Sequence, residues 1–175
     1  TAMSPGIREQ GDAFPLIADH KGRMIVGQFG SYIGPFLDGY KGTVEEGDMI
    51  MLSDPYSVGG AVSHCNDWLV LLPVFKDGRL IAYTSMFGHQ SDIGGKVPGS
   101  MPIDATSIFQ EGVRIPPIKI FKGGVYNEDL IKLIMHQTRT PDWCKADLNA
   151  LIASCRVAAR RVVEMAERFG DDEFV

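Results

Sequence analysis

The stretch that decides the fold runs from residue 54 to residue 95 and reads DPYSVGGAVSHCNDWLVLLPVFKDGRLIAYTSMFGHQSDIGG. Its centre contains two apolar runs, Trp68 to Phe75 and Leu80 to Met86, on either side of Lys76-Asp77-Gly78-Arg79. Asp-Gly readily adopts the positive φ angles of a two-residue primed turn. The sequence therefore predicts a long β-hairpin that turns at the Asp-Gly pair.

The open end of this hairpin brings together side chains that bind cations. With the Asp-Gly pair as the loop, the register places Asp67 opposite Gly88 and His89 opposite Asn66. Facing residues lie about 4.5–5.5 Å apart and diagonal neighbours about 7–8 Å apart. We therefore expect two imidazoles and two carboxylates to share one site: His64, Asp67, His89 and Asp92.

Two neutral imidazoles and a carboxylate are a common donor set for a catalytic divalent metal, and they leave coordination positions for water or substrate. We expect His64, Asp67 and His89 to be the ligands and the ion to be Zn²⁺ or Mn²⁺. Asp92 is a candidate catalytic residue, either as a fourth ligand or as the group that orients His89. Such a metal lowers the pKa of a bound water molecule and polarises a carbonyl group.

Other residues near the cluster have more than one interpretation. Asp54 follows a short apolar strand and is a second candidate catalytic residue, although Asp-Pro also opens ordinary turns. Cys65 could be a ligand or a nucleophile, but we expect a packing thiol that points away from His64. The whole cluster could also be a hydrogen-bonded structural feature without a metal.

The rest of the first two thirds predicts short strands joined by glycine-rich loops. Phe14 to Ala18 and Met24 to Phe29 form a second predicted hairpin, and 30–47 is predicted to be a loop. Met49 to Leu52 is a buried strand, and Ile118 to Phe121 is an edge strand because prolines precede it. These elements indicate an α+β chain with a glycine-rich mixed or antiparallel sheet, followed by a helical C-terminal third.

The last third has helical periodicity. Asn127 is a predicted helix cap, and Thr140-Pro141 is a second helix start. Apolar residues then recur at three- and four-residue steps from Leu148 to Phe169, and Gly170 ends the pattern. We therefore divide the chain into a β-rich metal-site region, 1–125, and a helical region, 126–175, that packs on it or on a partner.

Composition excludes several classes of function. The chain has 175 residues and a formal net charge of −5, which gives no electrostatic reason to bind nucleic acid or an anionic membrane. It shows no membrane-spanning run and no basic-then-apolar signal sequence. Three widely spaced cysteines favour a reducing, cytoplasmic location. Because the first residue is Thr1 rather than methionine, we expect a fragment or part of a larger chain.

Three strings carry a resemblance to a known family: GDMIMLSDPYSVGGAVSHCNDWLVLLPVF, GHQSDIGGKVPGSMP and IFQEGVRIPPIKIFKGGV. They resemble the hydantoinase B/5-oxoprolinase family, which is related to the metal-binding large subunits of acetone and acetophenone carboxylases. The resemblance extends over essentially the whole chain, from SPGIRE to RVAARRVVEMAERFG. It implies that His64, Asp67 and His89 hold a divalent metal.

The resemblance also implies a division of labour between subunits of a hetero-oligomer. A hydantoinase A-like ATPase partner uses ATP to phosphorylate a carbonyl oxygen of a small substrate, and the B-like chain then hydrolyses the activated cyclic amide. The sequence has no phosphate-binding loop of its own, which agrees with this arrangement. One alternative is a subunit of an ATP-dependent ketone carboxylase, and another is a non-catalytic assembly subunit.

Overall fold

A computed structural model describes residues 2–28, 32–60 and 62–171. Within these ranges the strands form one antiparallel sheet in the order β2-β1-β5-β4-β3-β6-β7. The strands are β1 Ala13–Asp19, β2 Met24–Gly27, β3 Met49–Leu52, β4 Asp67–Lys76, β5 Arg79–His89, β6 Ile118–Lys122 and β7 Val125–Tyr126. The helices are α1 Pro5–Arg8, α2 Ile33–Gly39, α3 Glu128–Met135 and α4 Pro141–Phe169, and 3₁₀ turns occupy Pro55–Val58 and Ile108–Gln110. The α+β class and the antiparallel sheet are confirmed.

The central hairpin of β4 and β5 forms as predicted, with Asp77 and Gly78 at φ angles of 52° and 76°. Its predicted register is wrong beyond the first pairs, because a β-bulge lies between Val74 and Phe75. The bulge leaves Ile81 as an extra residue in β5, and an extra residue shifts every pair beyond it by one position. Asp67 therefore faces His89 rather than Gly88.

The two faces of the sheet are both covered. Side chains alternate along β3, so that Met49 and Met51 join one core cluster while Ile50 and Leu52 join another. The first cluster contains residues of α4, and the second contains Ile33 and Phe36 of α2. This explains why β3 is a continuous apolar run, and it makes β3 and β4 the centre of a three-layer arrangement.

The second hairpin, between β1 and β2, is confirmed. Strand β2 ends at Gly27, and Phe29, the predicted end, lies outside the described residues.

Two expectations about the connections are wrong. Residues 30–47 contain the helix α2 rather than only loop, because Ile33 and Phe36 are fully buried and their packing outweighs the local glycines and proline. Strand β6 is not at the edge of the sheet, since the two-residue strand β7 pairs with it after a turn at Gly123 and Gly124.

The helical third packs directly on the sheet. Helix α3 begins at the predicted cap, where the Asn127 side chain accepts a hydrogen bond from the Leu130 amide. Helix α4 begins at Pro141 and ends before Gly170. Its residues Leu148 and Leu151 share a core cluster with Trp68 of β4. Most of the apolar stripe of α4, from Leu148 to Ala166, is therefore buried, whereas Met165 and Phe169 are exposed.

All three cysteines are free and buried. Burial raises the pKa of the Cys65 thiol to about 11 and that of Cys155 to about 12, and it also raises the pKa of Cys144. Cys65 belongs to the core cluster beneath α4, as expected for a packing thiol. Among the described residues, no helix has the combined length and apolarity that crossing a membrane requires.

Candidate metal centre

The three predicted ligands lie where the central hairpin opens. Asp67 is the first residue of β4 and His89 is the last residue of β5, and the two are paired across the ladder. His64 lies in the turn that leads into β4, where its carbonyl oxygen accepts a hydrogen bond from the Asp67 amide. The bulge in β5 thus determines that an imidazole and a carboxylate face each other directly.

A buried asparagine holds this turn in place. Asn66 is 1% exposed, and its side-chain amide donates hydrogen bonds to the carbonyl oxygens of Gln90 and Gly99. The backbone carbonyl oxygen of Asn66 accepts hydrogen bonds from the backbone amides of Trp68 and Gln90. The turn that carries His64 is therefore tied to the segment that follows His89.

The three side chains converge on one point. Nδ1 of His89 lies 3.1 Å from Oδ1 of Asp67, and Nδ1 of His64 lies 3.5 Å from the same oxygen. The two imidazole rings are nearly perpendicular, at 81°, with their centroids 5.0 Å apart. One candidate ligand atom from each residue lies within 4.8 Å of the other two. The structure thus brings His64, Asp67 and His89 together as a half-buried cluster.

The electrostatic surroundings of His89 favour its positively charged form. A carboxylate only accepts hydrogen bonds, so His89 donates from Nδ1 to Asp67. This hydrogen bond raises the pKa of His89, burial works in the opposite direction, and the charges of Asp67 and Asp12 raise the pKa further. The carboxylates around His89 therefore stabilise positive charge at this position.

Polar atoms of the cluster fit a divalent metal. Nδ1 of His64 is buried, and although it lies near Asp67 it has no properly oriented hydrogen-bond partner among the described residues. Buried polar atoms nearly always have a hydrogen-bond partner. A buried imidazole nitrogen that lacks one and lies beside two other potential metal ligands is therefore suited to bind a cation. Two imidazole nitrogens and one carboxylate oxygen suit Zn²⁺ or Mn²⁺.

The structure does not bring Asp92 into this cluster, and the interpretation that it orients His89 is wrong. Oδ1 of Asp92 accepts hydrogen bonds from the amides of Gly94 and Arg139, and Oδ2 accepts them from the Gly99 amide and the Arg139 guanidinium. The predicted hairpin register does not extend to Asp92, because β5 ends at His89. Both carboxylate oxygens of Asp92 are instead bonded within the loop that follows β5.

These bonds also control the charge of Asp92. Burial alone would raise its pKa, but the amides of Gly94, Gly99 and Arg139, together with the Arg139 guanidinium, hold the pKa of Asp92 below its ordinary value. The Arg139 guanidinium also donates to the carbonyl oxygens of Gly94, Gly95 and Val97. Asp92 and Arg139 together therefore fix the glycine-rich loop that follows β5.

Asp54 likewise lies outside the cluster. Its Oδ1 accepts a hydrogen bond from the Tyr56 amide, and its Oδ2 accepts one of 2.7 Å from the Ser57 hydroxyl. The Arg114 guanidinium lies 3.9 Å from Oδ1. Asp54 therefore acts as the cap of the 3₁₀ turn that follows β3, which is the ordinary role of an Asp-Pro pair.

Two features of the site were not found from the sequence. Asp12 lies beside His89, since its carbonyl oxygen accepts the His89 amide at 3.1 Å and its charge contributes to the raised pKa of His89. A cavity of about 200 Å³ also opens beside His64. Its walls are Ser63, His64, Ser100, Met101, Pro102, Ile103 and Glu111. The pairing of β1 with β5 is the signal that would have placed Asp12 there, and it joins residues distant in sequence.

Comparison with known proteins assigns the chain to a family. The family model for hydantoinase B/oxoprolinase matches residues 1–175. The chain therefore belongs to the hydantoinase B/oxoprolinase family, as its sequence strings indicated.

Named relatives are similar over most of the chain. It is 39% identical to the caprolactamase subunit beta of Pseudomonas jessenii over 130 residues, which cover 74% of this chain and 22% of the relative. It is 30% identical to the acetophenone carboxylase delta subunit of Aromatoleum aromaticum over 172 residues, which cover 93% of this chain and 25% of the relative. The chain thus spans about a quarter of the length of these relatives.

A solved structure has the same fold. The crystal structure of the ATP-dependent caprolactamase from Pseudomonas jessenii superposes with a TM-score of 0.83 at 33% identity, covering 93% of this chain and 29% of that chain. The fold described above is therefore a recurring part of larger proteins in this family.

Proposed function

We propose that this chain is the metal-bearing catalytic portion of an ATP-dependent cyclic-amide hydrolase. The observation that carries the proposal is the convergence of His64, Asp67 and His89 within 4.8 Å at the open end of the central hairpin. The similarity to a caprolactamase subunit supports the reaction class. The proposed ion is Zn²⁺ or Mn²⁺.

In this proposal a bound divalent ion supplies a Lewis acid and an activated water molecule. The chain's own residues prepare the site for it. Asp67 is hydrogen-bonded to His89 and lies 3.5 Å from Nδ1 of His64, while Asn66 fixes the turn that carries His64. The proton on Nδ1 of His89 must leave before that nitrogen ligates a cation, so metal binding competes with protonation.

We propose that the energy for the reaction comes from a second subunit. A hydantoinase A-like ATPase partner would phosphorylate the carbonyl oxygen of the substrate, which makes the adjacent carbon more reactive towards water. The caprolactamase relative is named as a subunit, which supports a hetero-oligomer. The cavity beside His64 supports this arrangement, since it adjoins one of the proposed ligands.

A ketone carboxylase subunit is the second candidate function. The 30% identity to an acetophenone carboxylase subunit favours it, because the same fold and cluster would then serve carbon–carbon bond formation. In that case the proposed metal would stabilise the negative charge of an enolate derived from the ketone.

Metal analysis tests the proposed site. We expect about one divalent ion per chain in the full-length protein and a large loss of metal in the His64→Ala variant, measured by inductively coupled plasma mass spectrometry. His136→Ala is the matched control, since His136 is exposed at the end of α3. Equal metal content in the wild type and His64→Ala would show that the cluster is only structural.

Assay of the purified complex separates the two reactions. With ATP, the hydrolase proposal predicts ring opening of a cyclic amide that requires no bicarbonate. Incorporation of labelled bicarbonate into a ketone, without ring opening of any lactam, would instead establish the carboxylase.

A further inference from the structure

The buried face of α4 carries a carboxylate among apolar side chains. Asp147 is 0% exposed, and its helix neighbours Cys144 and Leu148 belong to the core cluster that packs on the sheet. An aspartate is rarely buried to this extent unless hydrogen bonds satisfy its oxygens. Asp147 does not belong to the candidate metal centre, so other contacts must account for its burial.

The partners of Asp147 are two backbone amides that are distant in sequence. Oδ1 of Asp147 accepts hydrogen bonds from the amides of Met3 and Ser4, and Oδ2 lies 3.2 Å from the Ser4 amide. We call residues 3–12 the N-terminal segment. Asp147 therefore fastens the first residues of this segment to α4.

The N-terminal segment then packs against the end of β5. A Cβ on Gly88 would lie 2.7 Å from Cδ1 of Ile7 and 3.2 Å from Cδ2 of Leu151. Because Leu151 belongs to α4, glycine at position 88 lets Ile7 occupy the space between β5 and α4. This contact lies directly before His89 in the strand.

The same segment bonds to the backbone on both sides of the strand end. The Asp12 carbonyl oxygen accepts a hydrogen bond of 3.1 Å from the His89 amide, and the Ser4 hydroxyl accepts one of 3.4 Å from the Ser91 amide. Within the segment, the Asp12 amide donates to the Gly6 carbonyl oxygen at 2.9 Å. The residues that contact Asp147 and the residue that contacts His89 are therefore linked by short hydrogen bonds.

We propose that Asp147 is a positioning residue for the metal centre, which holds the N-terminal segment against β5 and thereby fixes His89. This inference rests on the proposed function, since it takes His89 as a metal ligand. Asp147 itself contacts neither the ion nor the substrate. Groups that orient a ligand from outside the coordination sphere contribute to metal affinity, because a displaced ligand binds the cation less tightly.

Zn²⁺ titration of the full-length protein against a competing chelator tests the proposal. We expect Asp147→Ala to weaken Zn²⁺ binding about tenfold, at the lower end of the range for loss of an outer partner of a ligand. Asp147→Asn keeps one acceptor oxygen for the two amides, so its affinity should stay within roughly threefold of the wild type. Circular dichroism ensures that the titrated variants are folded.

Asp48→Ala is the matched control for loss of a buried carboxylate. Asp48 is 0% exposed and accepts hydrogen bonds from the amides of Glu45 and Gly123. It precedes β3, whose last residue pairs with Leu69 near Asp67, so Asp48 lies at the opposite end of the sheet from the metal centre. We expect this variant to lose stability and to keep the Zn²⁺ affinity of the wild type. Equal losses of affinity in Asp48→Ala and Asp147→Ala would overturn the inference.

A second variant keeps the test informative should Asp147→Ala fail to fold. Ile7→Ala removes the half-buried side chain that packs on Gly88, and it should weaken Zn²⁺ binding several-fold. If both variants fold, their combined effect should be smaller than the product of the two, because both act through the N-terminal segment. An unchanged affinity in Ile7→Ala would show that the segment does not position His89.

Hydrogen exchange of the metal-free, full-length protein distinguishes this inference from the proposed function. Asp147→Ala should speed amide exchange in residues 3–12 and at His89, while peptides from β6 exchange as in the wild type. This pattern in a wild type that binds no Zn²⁺ would overturn the proposed metal site and keep the positioning of His89 by Asp147. A wild type that binds Zn²⁺, with an affinity that Asp147→Ala leaves unaltered, would keep the metal site and leave Asp147 a merely structural residue.

Discussion

Asp67 and Asp92 lie at the same end of the central hairpin, but their carboxylates have different kinds of partner. Asp92 is 4% exposed and receives hydrogen bonds from three backbone amides and the Arg139 guanidinium. Asp67 faces two imidazoles, and one of them has a buried nitrogen that lacks a hydrogen-bond partner among the described residues. Both oxygens of Asp92 therefore have hydrogen-bond donors within the fold, whereas the cluster around Asp67 keeps an unpaired imidazole nitrogen.

The difference distinguishes a structural carboxylate from a ligand. A fully hydrogen-bonded buried carboxylate stabilises the loop around it, and it gains nothing from a cation. A half-buried carboxylate between two imidazoles gains a partner when a cation enters. Substitutions at the two positions should therefore affect different properties.

The largest effect is expected for Asp67→Asn, which should weaken metal binding by roughly 1,000-fold. Loss of an outer partner of a metal ligand costs about 10- to 100-fold, and loss of a charged ligand should cost more. Metal titration with a competing chelator measures the change. Asp92→Asn is the contrast and should alter metal affinity by less than about threefold; equal losses in both variants would remove the distinction between the two carboxylates.

The free energy of unfolding should show the reverse order, with the larger loss at Asp92 and the smaller loss at Asp67. Asp92→Ala should lower the free energy of unfolding by about 3 kcal/mol, because it leaves the Arg139 guanidinium and buried amides without their acceptor. Asp67→Ala in metal-free protein should cost about 1 kcal/mol or less, as for other partly exposed pairs. Urea denaturation measures both values, and a larger cost at Asp67 would contradict this assignment.

The pH dependence of stability sharpens the same comparison. Because the pKa of Asp92 is lowered in the folded chain, its ionised form stabilises the fold fully above the ordinary value of about 3.9. This contribution is lost as the pH falls through the lower pKa of the folded state. The difference in unfolding free energy between wild type and Asp92→Asn should therefore shrink below about pH 4. A constant difference from pH 7 to pH 2 would argue against an ionised Asp92.

The smallest effect is expected at the third carboxylate of the region. Asp54→Ala removes the cap of the 3₁₀ turn and should cost about 1 kcal/mol of stability. Metal affinity and turnover should stay within about twofold of the wild type. A loss of turnover at unchanged metal content would give Asp54 the catalytic role that its position after β3 suggested.

Local signals account for what the sequence predicted well. The Asp-Gly turn, the alternation in its two strands and the cap at Asn127 each depend on neighbouring residues. His64, Asp67 and His89 could therefore be brought together from the hairpin alone.

Contacts between distant residues account for what the sequence did not predict. The bulge accompanies a contact that is distant in sequence, since Ile81 shares a buried cluster with Val162 of α4. Asp92 is bonded to Arg139, 47 residues away, and no local pattern joins the two. Asp12 reaches His89 only because β1 pairs with β5. Helix α2 also depends on burial against the sheet rather than on its own propensity.

The three buried thiols give the folded chain a chemical consequence. Thiolates are the reactive form, and burial keeps Cys65, Cys144 and Cys155 protonated and out of reach of alkylating reagents. Alkylation therefore requires local or global unfolding that exposes the thiol. Cys65 adjoins the metal ligands, whereas Cys155 lies in the middle of α4. Mass spectrometry of the labelled peptides would therefore give the rate of local unfolding separately for each segment.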